Sequence, residues 1–120
     1  MNPRIDHTEF GSITIAGEVY RHDVIIRLNG KVKKRKKKLS KAIYGTSHTI
    51  SRDEARHIYQ ESAQQLILGT GQYGLVELSD QAAEFFDDQE CRVTRLPTPE
   101  AIHAWNQAKG AVIGLFHVTC

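Results

Sequence analysis

LILGTGQYGLVELSD, residues 66–80, decides how this chain folds. Leu66-Ile67-Leu68 is apolar without alternation, the pattern of a short strand buried on both faces. Gly69-Thr70-Gly71-Gln72-Tyr73-Gly74 then gives a G-x-G-x-x-G string, and Leu75-Val76-Glu77-Leu78 is extended in pattern again. A dinucleotide fingerprint needs its third glycine inside the first turn of a helix, where the pyrophosphate meets the helix N-terminus. Here helix signals resume only at Ser79-Asp80, and Asp87 and Asp88 sit on that helix rather than at a strand end. The string therefore reads as a turn with close backbone packing, not as a nucleotide cradle. Its N–H groups remain able to meet a small anion.

Downstream, helix and strand signals alternate. Ser79-Asp80 starts a helix with Ala82, Ala83, Phe85 and Phe86 facing inward, and Val93 and Leu96 mark a strand. Thr98-Pro99-Glu100 opens a further helix with a cap and a proline at its first position, closed by Gly110. Trp105 on that helix reads as core, and Ala111–Phe116 as the last buried strand. Upstream, Ser51-Arg52-Asp53-Glu54 has the form of a capping box, followed by Ala55, Ile58, Tyr59 and Ser62 at helical spacing. This α-β-α-β-α-β order calls for a mostly parallel sheet with right-handed crossovers.

The first half reads as antiparallel β. Ile13 and Ile15 alternate with small or polar residues, Gly17 turns into Val19-Tyr20, and Val24–Leu28 runs into Asn29-Gly30, a strong hairpin signal. The return strand enters a basic run: Lys31, Lys33, Lys34, Arg35, Lys36, Lys37, Lys38 and Lys41. Six consecutive like charges predict a solvated edge or loop from about Lys36, which blocks edge-to-edge pairing. Leu39–Ile43 reads as a short turn. The expected fold is α/β in three layers: a mostly parallel central sheet, flanking helices and an additional N-terminal antiparallel β-hairpin layer. Residues 1–9 are expected to form a flexible N-terminus, and residues 10–120 a single α/β domain.

Composition sets the class. At 40% hydrophobic and 25% charged residues, the 120-residue chain suits one globular domain with a core. No apolar window reaches the roughly eighteen residues of a membrane span, and the N-terminus lacks the apolar stretch of a secretory signal. Two cysteines, Cys91 and Cys120, fit a reducing compartment rather than a disulfide framework. A cytoplasmic location and no membrane partner are the expectations. The net charge of +2 is uneven: outside the basic run, eight basic residues face fourteen acidic ones, leaving −6.

Several groups invite chemistry. Thr46-Ser47-His48 lies just before a helix N-terminus, which favours an anion, while the same residues also serve ordinary turns. His117 and Cys120 are three apart and on a strand would face opposite sides, so they form no dyad within the segment. The six histidines are scattered, and neither H-E-x-x-H nor C-x-x-C occurs, so no metal site is assigned. The basic run offers phosphate contacts, but no aromatic is interleaved with it, which disfavours nucleic acid as the partner.

The pieces Phe10-Gly11-Ser12, Lys37-Lys38-Leu39-Ser40, Tyr44-Gly45-Thr46-Ser47-His48, Leu68-Gly69-Thr70-Gly71, Leu96–Ala101 and Phe116–Cys120, in this order, resemble a small α/β family. That family includes the adipogenesis-associated domain-containing protein and is similar to a mitochondrial NADH dehydrogenase assembly factor. The resemblance implies a three-layer fold and roles in complex assembly or regulation. It implies no established activity or cofactor. The resulting expectation is a cytosolic, non-catalytic binding or regulatory domain for a protein partner or small ligand, with no catalytic residue and no cofactor assigned. One alternative is a small-anion-binding protein or enzyme, its cleft formed by Ser47, His48, Gly69, Thr70, Gly71 and His117. Another is a nucleic-acid accessory protein using residues 31–41. Whether a reaction is catalysed, and the oligomeric state, are left open.

Overall fold

Fourteen short elements alternate along the chain in a computed structural model that describes residues 2–120. An antiparallel sheet of β1 (Ile5–Glu9), β2 (Ser12–Ile15) and β3 (Glu18–Tyr20) comes first. A hairpin follows, β4 (Val24–Ile26) and β5 (Val32–Lys34), then α1 (Lys38–Tyr44), β6 (Thr49–Ile50) and α2 (Arg52–Ile58). The remainder is β7 (Gln65–Gly69), β8 (Glu77–Leu78), α3 (Asp80–Asp88), β9 (Arg92–Leu96), α4 (Thr98–Gln107) and β10 (Val112–Phe116). The central sheet has the order β5-β4-β10-β7-β9; β10, β7 and β9 run parallel, and the β4–β5 hairpin joins antiparallel to β10. The sheet is therefore mixed, with the expected parallel half and β5 as one edge.

Alternation along the central strands explains their unbroken apolar runs. Ile25, Leu66, Leu68, Ile113 and Leu115 point to one face, where Ala55 and Ile58 of α2 and Phe86 of α3 cover them. Val24, Ile26, Ile67, Val112 and Phe116 point to the other, under Trp105 of α4 and Ile5, Ile13 and Ile15 of the N-terminal sheet. Burying such side chains contributes roughly 1.5–3 kcal/mol each before entropy is counted. No helix among the described residues is long and apolar enough to cross a membrane.

Three local expectations are corrected. Residues 5–9 are not a loose N-terminus: Ile5 is buried, its N–H and C=O are both bonded by the Asn106 side chain, and the Trp105 indole donates to Pro3 O. Met1 lies outside the described residues. Leu39–Ile43 forms most of a helix rather than a turn, ended by Gly45 at φ 71°, whose N–H closes on Lys41 O. Thr98 lies inside α4 with Pro97 before it, and its hydroxyl does not cap the helix.

That hydroxyl instead accepts from Gly71 N–H (2.9 Å) and donates to His117 O (2.7 Å). The glycine string therefore ends against the segment that follows β10. Gln72 N–H donates to Thr119 O (2.6 Å), and the Tyr73 and Leu75 N–H groups both reach Cys120 O (3.1 and 3.2 Å). Gly74 and Val76 bond back within the loop. On the far side, Gly11 N–H donates to Val118 O (2.7 Å). Gly71 holds φ at +107°, and a Cβ there would come within 2.6 Å of Cys120 O and 2.8 Å of His117 Cδ2. Gly71→Ala therefore costs at least about 2 kcal/mol, read as a lowered urea midpoint with an unchanged slope.

Candidate functional site

Asp23, one residue before β4, is 1% exposed and anchors a buried charge network. Its Oδ2 accepts from Arg35 Nη1 (2.9 Å) and His117 Nδ1 (2.6 Å), and its Oδ1 accepts from Val118 N–H (2.9 Å). Lys37 Nζ stands 3.7 Å from Oδ2. Arg35, just past β5, also donates Nε to Glu54 Oε2 (2.6 Å), and Nη2 to Glu54 Oε1 (3.0 Å) and Ser47 O (2.8 Å). Both side chains of the Arg35–Glu54 pair have zero exposure. Among the described residues no buried side-chain nitrogen or oxygen lacks a partner, as a buried polar cluster requires if it is not to cost several kcal/mol.

Local structure places these groups. Ser51 caps α2 by accepting from Glu54 N–H (3.1 Å), as the sequence pattern predicts. The Glu54 carboxylate, however, turns inward to Arg35 instead of completing the box. Ser40 of α1 takes its place, accepting from Ser51 N–H (2.9 Å) and donating to Glu54 Oε1. Burial alone pushes the Asp23 carboxyl up. The hydrogen bond and charge of His117, the Val118 N–H and the Lys37 charge outweigh it, and its pKa is lowered to about 2. For Arg35, burial opposes the charge, but Glu54 and Asp23 overcome it and raise the pKa.

The expected site residues separate into two groups. Gly69, Thr70, Gly71 and His117 do come together at the carboxyl ends of β7 and β10: His117 N–H donates to Gly69 O (3.0 Å). The His48 ring packs edge-on to His117, with centroids 5.6 Å apart. Ser47 is buried and contributes its carbonyl to Arg35. No open cleft lies between Gly71 and His117, however. His117 is 1% exposed, and the N–H groups expected to hold an anion serve Thr98, Thr119 and Cys120. The loop's own chain occupies the place proposed for a ligand.

The basic run is also corrected. Arg35 is buried rather than solvated. Lys31, Lys33 and Lys41 are exposed and do not line the cavity described next. Lys34, Lys36, Lys37 and Lys38, together with Arg21 and His22, line a cavity of about 630 Å³ whose other walls include Asp23, Gly11, Val118 and Thr119. Sequence reasoning misses Asp23, Glu54 as an ion-pair partner, and Thr119. Two signals point to the Asp23–Arg35 pair: Asp23 is a carboxylate directly preceding an apolar strand, and Arg35 is the one arginine in a run of lysines. Arg suits a fork between two carboxylates better than Lys does.

The lowered Asp23 pKa sets a pH dependence. Against an unfolded value near 3.9, a folded value of about 2 means stability that is complete above about pH 4 and lost as pH falls toward 2. The wild-type chain should lose roughly 2 kcal/mol across that window, followed by thermal unfolding at stepped pH. Asp23→Asn should be less stable at neutral pH and should lack this part of the acid slope.

The comparisons agree with this architecture. A conserved hypothetical protein, PH1505, from Pyrococcus horikoshii OT3 is 31% identical, with a TM-score of 0.88 over 98% of this chain and 99% of its own. A solved protein named MT938 is 32% identical, with a TM-score of 0.83 over 99% and 100%. A Mth938-like domain from Bordetella pertussis shares the fold at 14% identity and a TM-score of 0.64 over 97% and 85%. Among curated proteins none matches the chain. The family model described as protein of unknown function (DUF498/DUF598) matches residues 5–114, and the chain belongs to that family.

Proposed function

We propose that this chain is a binding domain for a small anionic molecule, which it takes in the cavity lined by the basic run. The observation that carries this reading is the clustering of Arg21, Lys34, Lys36, Lys37 and Lys38 around one concavity of about 630 Å³. That volume falls within the range typical of small-molecule sites. Among the described residues the one carboxylate lining it, Asp23, is shared by Arg35 and Lys37, which leaves Arg21, Lys34, Lys36 and Lys38 facing the cavity without a lining counter-charge of their own. Among the described residues no Phe, Tyr or Trp lines it, which favours a compact anion over stacked nucleic-acid bases. Both cysteines are free, which supports a reducing, cytosolic setting. The resemblance to assembly and regulatory proteins supports a role in which ligand occupancy controls what the domain does.

The test is thermal unfolding against a panel of carboxylated and phosphorylated metabolites. A true ligand raises the midpoint by about 5 °C or more at a hundredfold excess over its Kd. The shift should shrink with added salt and be lost in the Arg21→Gln, Lys36→Gln double variant, whose altered side chains are solvent-exposed. A panel without any stabilising anion, or a shift unchanged in the double variant, rules the reading out.

A further inference from the structure

Thr119, on the wall of the basic cavity, stands at one end of a hydrogen-bonded line. Its Oγ1 lies 3.1 Å from His117 Nε2, and His117 Nδ1 lies 2.6 Å from Asp23 Oδ2. The Asp23 carboxylate also receives Arg35 and Val118 N–H, so it is held ionised and only accepts. His117 Nδ1 must then carry a proton. In the neutral ring Nε2 is left as an acceptor, and its partner within reach is the Thr119 hydroxyl, which donates. A carboxylate, an imidazole of fixed tautomer and a hydroxyl are thereby in the order that activates an oxygen nucleophile.

The surroundings support more than a chance contact. Thr119 is half-buried and lines the basic cavity, whereas His117 behind it is 1% exposed. Thr119 is thus the most solvent-accessible member of the line, since Asp23 is also 1% exposed. The backbone carrying it is clamped on both sides, by Gln72 N–H on Thr119 O and by Gly11 N–H on Val118 O. Such fixing positions a nucleophile before the substrate arrives. Lys37, 3.7 Å from Asp23 Oδ2, and Arg21 line the same cavity and supply cations for developing negative charge.

The geometry points to Thr119 as an acyl-accepting nucleophile, with His117 as its general base, Asp23 as the residue that positions His117, and a small ester bearing an anionic group as substrate. This rests on the anion-binding reading of the cavity. Thr119 Oγ1 forms a bond to the acyl carbon as its proton passes to His117 Nε2. The ester C–O bond then breaks, and the departing alkoxide takes that proton and leaves as the alcohol. Water attacks the acyl-threonine with His117 again accepting a proton, which returns to Thr119 Oγ1 as the carboxylic acid is released. Ester and water are consumed, acid and alcohol are formed, and no redox partner is involved.

The experiment compares p-nitrophenyl hydrogen glutarate, which carries a carboxylate, with neutral p-nitrophenyl acetate, using the full chain. The expected result is release of p-nitrophenolate that is faster for the anionic ester, with an acid-quenched acyl adduct mapped to Thr119 by peptide mass spectrometry. Thr119→Val, nearly isosteric, should lower the rate at least about a hundredfold, and Thr119→Ser should restore much of it. Asp23→Asn should lower kcat more than it raises KM, which a loss of ligand binding alone does not produce. An adduct elsewhere, or turnover that persists in Thr119→Val, overturns the inference. Absence of release and adduct in a wild-type chain that anions still stabilise also overturns it, and leaves the domain a non-catalytic binder. Absence of anion stabilisation strikes the cavity reading itself, and that measurement is made separately.

Discussion

Arg35 is the residue on which the arrangement depends. Its guanidinium has no exposure and is surrounded by Glu54, Asp23 and the Ser47 carbonyl. Withdrawing these charges from water costs several kcal/mol per ion, and only a complete set of partners returns it. The network draws on five places: the start of β4, the residue after β5, the turn before β6, the first turn of α2, and, through Asp23, the segment after β10. It therefore acts less as added stability than as a condition on assembly. A register slip in the β4–β5 hairpin, or a tilted α2, leaves a charge unpaired in the interior. Removing one partner from such a buried set is far more damaging than the average surface change, by about 3–5 kcal/mol.

The glycine string shows why a motif's chemistry is not its function. The Gly71, Gln72 and Tyr73 N–H groups are donated out of the loop, as they would be to a bound anion. Thr119 and Cys120 carbonyl oxygens and the Thr98 hydroxyl receive them. The chain fills its own anion-holding loop, and the result is a fixed strand end carrying His117, Val118 and Thr119. Gly71 is required by contact as much as by its φ, since the neighbouring segment leaves no room for a Cβ.

What is legible in the sequence follows from the range of each interaction. Ser51 and Ser79 as helix caps, the Asn29-Gly30 hairpin and the apolar strands β7 and β10 are local patterns, and each is found where the pattern puts it. β1 escapes such a reading because Ile5 is its one deeply buried side chain, and it is held by Asn106, 101 residues away. α1 escapes it because the adjoining charge run masks a helix that Gly45 terminates. Arg35 reads as solvated because charge counting treats every member of a run alike. Its carboxylate partners lie 12 and 19 residues distant, and the Asp23–His117 bond spans 94. Nothing in a one-dimensional pattern ranks such pairs.

The same distinction governs the cavity. Outside the basic run the chain carries −6, so a charge count alone describes an acidic body with a cationic stripe of lysines. Folding sorts those cations by geometry. One is consumed inside the network, three are exposed and do not line the concavity, and four line it with Arg21. Low-dielectric walls concentrate the field of the lining cations within the concavity, while the acidic remainder limits it elsewhere. Asp23 belongs to both systems: it neutralises Arg35 from within and forms part of the cavity wall. Its ionised state therefore requires a proton on His117 Nδ1 and leaves the other ring nitrogen to face the Thr119 hydroxyl. Structural charge burial and the chemical character of the cavity are set by one carboxylate, so neither can be changed without the other.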